Sequence, residues 1–240
     1  MIYALIFAGG IGQRMNSVAL PKQFLKVHGK EIIIHTIERF QECDAVDKIV
    51  VVCIEGYIQH LEELVKKYRL TKVITIVSGG HTGQESIYKG LVEVKKDSID
   101  LDDIVLIHDG VRPIITNDTI YDNINSVKKY GNAITVSKAF ESVMLVDGDK
   151  EVKRTLNRNN CYLGRAPQSF RVKDIYDAHL KAISENKNDF TDSASLMSYY
   201  GYQLYTIIGP QNNIKVTTPM DFYFFRAILD YKESEQINDL

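Results

Sequence analysis

Cysteine is scarce in this chain. The three that occur, Cys43, Cys53 and Cys161, lie far apart with no Cys-x-x-Cys spacing. That excludes a disulfide framework and a zinc knuckle, and leaves free thiols. A basic field is missing as well. The net charge is −2, so a general nucleic-acid binder is excluded. Long apolar runs are also absent. The first, Ile2 to Ala8, is far too short to span a bilayer, and no charged stretch precedes it as in a signal peptide. The expected setting is the cytoplasm, with no membrane partner. There is no internal repeat and no low-complexity linker. At 240 residues and 45% hydrophobic content, a single domain over residues 1–240 with a sizeable core is expected.

What is present is alternation. "YALIFA" (3–8), "DKIVVVCI" (47–54), "KVITIV" (72–77), "DIVLIHD" (103–109) and "NAITVS" (132–137) read as buried strands. Between them, "KEIIIHTIERF", "IQHLEELVKKY" (58–68), "ESIYKGLVEV" (85–94) and "TIYDNINSVKKY" (119–130) place apolar residues at helical spacing. Strands alternating with helices imply right-handed crossovers and an α/β fold with one doubly wound, mostly parallel sheet. From about 138 to 167 the pattern changes. Two short strand-like runs flank Asp147-Gly148-Asp149, a hairpin signal that suggests a projecting β-arm. After the arm come a helix ("VKDIYDAHLKAI"), a second helix near 191–200, a strand ("QLYTIIG") and a last helix after Pro219.

Ligands of such sheets sit beyond the carboxyl ends of the strands. Three loops follow strands there: "AGGIGQRM", "SGGHTGQES" and "HDGVRP". In the first, Gly9, Gly10 and Gly12 let backbone N–H groups approach an anion, as a phosphate cradle requires. A dinucleotide fingerprint from Gly10 would need glycine at position 15, which is Met15, and the Gly-Lys-Ser/Thr of a P-loop is missing. Arg14 and Lys22 stand beside the glycines instead. A planar fork and a compact charge suit a triphosphate tail or a pyrophosphate leaving group. In the second loop Gly79, Gly80, Gly83 and Ser86 either cap a helix or form a base and ribose pocket. In the third, Asp109 either pairs with Arg112 or holds Mg²⁺ or a ribose hydroxyl. His108 reads as a packed, orienting residue. Arg158 and Lys215 are two further cations, each either functional or a plain surface charge. A dinucleotide oxidoreductase on the same sheet would need an acidic ribose ligand about 20 residues after the loop. Glu31 is near that distance but falls in a predicted helix.

Taken together, "AGGIGQRM…LPKQFL", "GG…S", "HDGVRP", "APQSF", "TD…A" and "NIKVTTPMD" resemble, in order, the cytidylyltransferase family that makes CDP-linked polyols and CDP-methylerythritol. The resemblance runs from Met1 to about Leu229. "FAGG" and "LPKQFL" are similar to the polyol-phosphate branch, with ribitol 5-phosphate the leading substrate. It implies a Rossmann-like nucleotidyltransferase acting on CTP and an alditol phosphate with Mg²⁺. Arg14, Lys22 and Lys215 would be catalytic. Phe7, Ala8, Gly9, Gly10, Gly12, Gly80, His81, Ser86, Asp109 and Gly110 would hold the nucleotide, with Asp109 also the metal ligand. Arg112, Ser142 and Arg158 would bind the acceptor. The arm would cross to a second copy in a homodimer, so Ser142 and Arg158 would serve the neighbour's site. Three positions depart from the pattern: Gly83 where the family usually has arginine, Glu141-Ser142 where it has Asp-Thr, and Ala166 where it has threonine.

Overall fold

The computed structural model of the chain describes residues 1–10 and 20–238, with side chains through 234. After β1 (Ile2–Ala8), a 3-10 turn at Lys22–Phe24 leads into a small hairpin, β2 (Lys26–Val27) and β3 (Lys30–Glu31). Then follow α1 (Ile32–Gln41), β4 (Lys48–Cys53), α2 (Ile58–Lys67), β5 (Val73–Ser78) and α3 (Gly83–Asp97). Next are β6 (Ile104–Asp109), α4 (Asn117–Tyr130), β7 (Asn132–Lys138), β8 (Val143–Val146) and β9 (Val152–Leu156). The chain closes with β10 (Tyr162–Arg171), α5 (Val172–Ser184), α6 (Ser193–Tyr199), β11 (Thr206–Ile208) and α7 (Pro219–Asn238).

Seven strands form one sheet in the order β11-β7-β10-β6-β1-β4-β5. Pairing is parallel except at β10, which runs antiparallel to β6 and β7. Successive β1 side chains point to opposite faces, and each face meets its own helices. Ala4 and Ile6 pack with Ile33 and Ile37 of α1, Leu61 of α2 and Ile124 of α4. Tyr3 and Leu5 pack with Leu91 of α3, Ile175 of α5 and Leu196 of α6. The sheet is therefore covered on both sides, as the continuous apolar strands required. A third, smaller core joins Val111 and Ile114, after β6, to Val216 and Phe225 of the C-terminal segment. This is what brings the segment around Lys215 onto the ligand edge.

The arm differs from expectation at its far end. β8 and β9 do pair antiparallel apart from the main sheet, around a turn where the Asp147 carboxylate accepts from the Asp149 and Glu151 N–H groups. The return leg, however, rejoins the sheet at Tyr162, so residues 162–167 belong to β10 and not to the arm. A strand holding Gly164 and Pro167 reads as a loop. It is tolerated here because the β10–β7 register shifts between Gly164 and Gln168, where no ladder bond from Pro167 is needed.

Candidate active site

The first two glycine loops meet backbone to backbone. A Cβ on Gly9 would lie 2.9 Å from Ser86 Oγ and 3.1 Å from Gly79 Cα, and one on Gly79 would lie 2.9 Å from Gly9 Cα. Any side chain at either position would pry the loops apart. The second loop is braced from the start of α3. Thr82 caps the helix by accepting from Glu85 N, and Glu85 Oε2 accepts from His81 N at 2.7 Å. Ser86 Oγ accepts from Gly80 N at 2.9 Å and donates to Thr82 O at 2.9 Å. The N–H groups of Gly80 and His81 are thus already committed. A base in this pocket would meet carbonyls and side chains there, and Ser86 shapes the loop from within.

The third loop supplies a charge cluster. Asp109 ends β6, and its two oxygens face different cations: Oδ2 accepts from Arg112 Nε at 2.8 Å, and Oδ1 pairs with Lys215 Nζ at 2.5 Å. Burial pushes the Asp109 carboxyl up, but the Lys215 and Arg112 charges outweigh it and hold the carboxyl at about 2. Arg112 Nη1 also donates to Asn213 O at 2.9 Å, and Asn213 Nδ2 donates to Ala166 O at 2.8 Å. The segment around Lys215 is therefore tied to β10 and to the loop after β6. His108 sits beneath, fully buried, with Nε2 3.0 Å from Arg112 O and its ring against Phe40. Burial holds its imidazole down at about 4, so it is neutral. Across the cleft, Lys22 opens the 3-10 turn after Pro21. Its neighbour Gln23 is buried, and its Nε2 donates to Ala8 O at 2.7 Å. That bond fastens the Lys22 segment to the end of β1.

These elements enclose two cavities. The larger, about 590 Å³, is bordered by Gly9, Gly10, Lys22, His81, Ser86 and Lys215. The smaller, about 330 Å³, is bordered by Arg112, Arg165, Gln168, His179 and Asp192. Phe7, Gly83, Asp109 and Lys215 line both. A glycine-walled cleft and a side-chain pocket thus meet at one lysine.

Comparison with known proteins agrees with this geometry. The family model described as 2-C-methyl-D-erythritol 4-phosphate cytidylyltransferase matches residues 2–231. The chain belongs to that cytidylyltransferase family. Among its curated relatives is a ribitol-5-phosphate cytidylyltransferase of Streptococcus agalactiae serotype III, 47% identical over 99% of both chains. One of the same name from Vibrio parahaemolyticus is 44% identical, again over 99% of both chains. Of solved structures, the 4-diphosphocytidyl-2C-methyl-D-erythritol synthase of Anaerococcus prevotii superposes with a TM-score of 0.81 at 28% identity, covering 95% of this chain and 96% of that one. The 2-C-methyl-D-erythritol 4-phosphate cytidylyltransferase of Francisella tularensis gives 0.75 at 29% identity, covering 93% and 97%.

Within this cytidylyltransferase fold the expected site residues fall into three groups. Phe7, Ala8, Gly9, Gly10, Lys22, Gly80, His81, Ser86, Asp109 and Lys215 line the larger cavity, and Arg112 the smaller. Gly110 lines neither. Its N–H donates to Phe7 O at 3.0 Å, and it packs the third loop on β1. Ser142 and Arg158 are exposed on the arm and line neither cavity; Arg158 Nη1 donates to Phe140 O at 3.4 Å. Gly12 and Arg14 lie outside the described residues. Asp109 is also expected to hold Mg²⁺, and its pairing bears on that expectation. Mg²⁺ seeks carboxylate oxygens, yet both Asp109 oxygens already face cations, and no other carboxylate lines the larger cavity among the described residues. Asp109 fits a brace for Lys215 and Arg112, and these residues do not fit a protein-held Mg²⁺. Sequence reasoning missed Gln23, Arg165 and His179. Gln23 and Arg165 stand inside or beside quoted motifs, whereas nothing around His179 sets it apart.

Proposed function

We propose that the protein transfers CMP from CTP to D-ribitol 5-phosphate, releasing pyrophosphate and CDP-ribitol. The junction of the two cavities at Asp109 and Lys215 carries this reading. A reaction joining two anionic substrates needs two adjoining pockets and positive charge where they meet. The larger cavity takes CTP and the smaller the alditol phosphate. An acceptor phosphate oxygen attacks the α-phosphorus, a new P–O bond forms, and the bond to the β-phosphate breaks with its electrons leaving on pyrophosphate. The acceptor phosphate is already largely ionised at neutral pH, with a second pKa of about 6, so no strong general base is required. The work lies in holding anions together and stabilising charge as it grows on the α-phosphoryl oxygens. The reading gives this to Lys22 and Lys215, with Arg14 as third cation by family resemblance. Mg²⁺ would arrive on the triphosphate's own oxygens.

The choice of ribitol rests on relatives of that name at 44–47% identity over nearly the whole chain. The CDP-alditol would then serve teichoic-acid or capsule synthesis in the cytoplasm. The reading includes a homodimer joined through the arm, whose exposed apolar residues include Phe140, Leu145 and Val146. Arg158 and Ser142 would reach the neighbour's acceptor pocket. Pyrophosphate release with CTP, Mg²⁺ and a panel of acceptors tests all of this. Ribitol 5-phosphate should give the highest kcat/KM. A higher value with 2-C-methyl-D-erythritol 4-phosphate would move the protein to the other branch, and no release with any acceptor would end the reading.

A further inference from the structure

Among the described residues that border the smaller cavity, one has buried side-chain polar atoms with no hydrogen-bond partner. His179, on α5, is 1% exposed and borders this cavity, and neither ring nitrogen has a hydrogen-bond partner among the described residues. Its polar neighbours are different. Gln168 Nε2 donates to Asp192 Oδ2 at 2.9 Å, and Gln168 Oε1 accepts from Ala194 N at 2.9 Å. Asp192 Oδ1 caps α6 by accepting from Ser195 N at 2.8 Å. Arg165 Nε donates to Ser137 Oγ at 3.0 Å, and Gln84 Nε2 donates to Lys187 O at 2.9 Å. Each of these groups has a task within the fold. His179 has none, although leaving a buried polar group unpaired is costly.

The chemistry of the pocket says what could meet it. Arg112, Arg165 and Lys215 are the cationic part of the lining, suited to a phosphate. Ile87, Phe190 and Leu196 supply apolar surface for a carbon chain. Burial holds the His179 imidazole down at about 4, so at neutral pH it is uncharged and offers one donor and one acceptor. A hydroxyl can answer either nitrogen, whereas a second phosphate would meet an acceptor and only one donor. Tyr88 lies against the ring with centroids 6.0 Å apart, backing it on one face.

Building on the alditol phosphate reading above, we propose that His179 hydrogen-bonds a hydroxyl on the carbon chain of the acceptor in the smaller cavity, and thereby helps select acceptors by length. It is a specificity residue and takes no part in the transfer itself.

The test compares wild type, His179→Leu and His179→Gln in pyrophosphate release, with D-ribitol 5-phosphate, D-erythritol 4-phosphate and glycerol 3-phosphate as acceptors. His179→Leu should raise the ribitol 5-phosphate KM about tenfold or more while the CTP KM stays within about twofold. The loss should shrink with glycerol 3-phosphate, whose chain is too short to reach a distal partner. His179→Gln, which restores a donor and an acceptor, should recover part of the ribitol affinity. If His179→Leu does not fold, His179→Gln carries the test: its ribitol KM should change while its CTP KM does not. An unchanged ribitol KM in the folded variants of an active enzyme would overturn the proposal, and so would equal losses for every acceptor. A wild type that turns over none of the three acceptors would overturn the functional reading, and this proposal with it. That outcome is told apart by its appearance before any substitution is made.

Discussion

The two cavities are built by different means. The larger is walled by backbone and small residues: Gly9 against Gly79, Ala8 and Ser86, with His81 and Lys22 at its border. Main-chain groups held by neighbouring main chain tolerate little change, so this wall suits the nucleotide that the whole family name implies. The smaller cavity is walled by side chains, among them Arg112, Arg165, Gln168, His179 and Asp192. Side chains can be exchanged while the backbone stays in place. The departures from the family pattern agree in part. Ala166 borders the smaller cavity alone, Gly83 borders both, and Glu141-Ser142 sits on the arm. One scaffold can thus keep a nucleotide and vary an acceptor.

The comparison breaks most severely at the junction. Asp109→Asn leaves Arg112 and Lys215 without their shared anion and should cost about 3–5 kcal/mol in urea unfolding, as removing one partner from a buried pair does. The sign of its pH dependence follows. With a folded value of about 2 against the ordinary 3.8, Asp109 contributes stability that is complete above 3.8 and lost as pH falls towards 2. Wild type should lose about 2 kcal/mol across that window that the Asp109→Asn variant does not. An equally steep acid limb in both would remove the charge pairing from the account.

Lys22→Ala acts on the nucleotide side. It should lower kcat by about a hundredfold or more with the melting temperature intact. Near-normal turnover would take Lys22 out of the chemistry. Arg158→Ala sharpens the comparison from the arm, raising the acceptor KM about tenfold and the CTP KM little. Arg158 lines neither cavity, so if the proposed homodimer carries it to the neighbour's pocket, mixing the Arg158→Ala and Lys22→Ala proteins should restore activity through hybrid dimers. No recovery on mixing would confine Arg158 to its own subunit or to the surface. An effect spread over a wide pH range concerns the buried histidines. His108 and His179 are both held at about 4, below the ordinary 6.5, so stability present above 6.5 is lost as pH falls to 4. His179→Leu should reduce the slope of stability against pH by up to about 1.4 kcal/mol per unit within that window. An unaltered slope would mean that His179 is already charged or solvated.

Much of this was legible in the sequence for a physical reason. Strands buried on both faces read as unbroken apolar runs, and "DKIVVVCI" and "DIVLIHD" became β4 and β6. Knowing that parallel strands present their carboxyl ends to ligands was enough to gather three loops on one edge. β10 was illegible because Gly164, Arg165, Pro167 and Gln168 suit a loop, and only the register shift reconciles them with a central strand. The Asp109–Lys215 pair was equally hidden. Each residue was a candidate, but no local pattern tells that a carboxylate will pair with a distant lysine. His179 shows the same limit: a histidine on an amphipathic helix acquires meaning only when its partners can be counted.

The central claim is that both substrates meet at Lys215. Steady-state kinetics of Lys215→Met with CTP and D-ribitol 5-phosphate test it most directly, since Asp109 keeps Arg112 as a partner in that variant. The account predicts a fall in kcat of about a hundredfold with a smaller change in either KM, the mark of a charge used chiefly in the transition state. A folded variant with wild-type kcat, whatever its KM values, would contradict it.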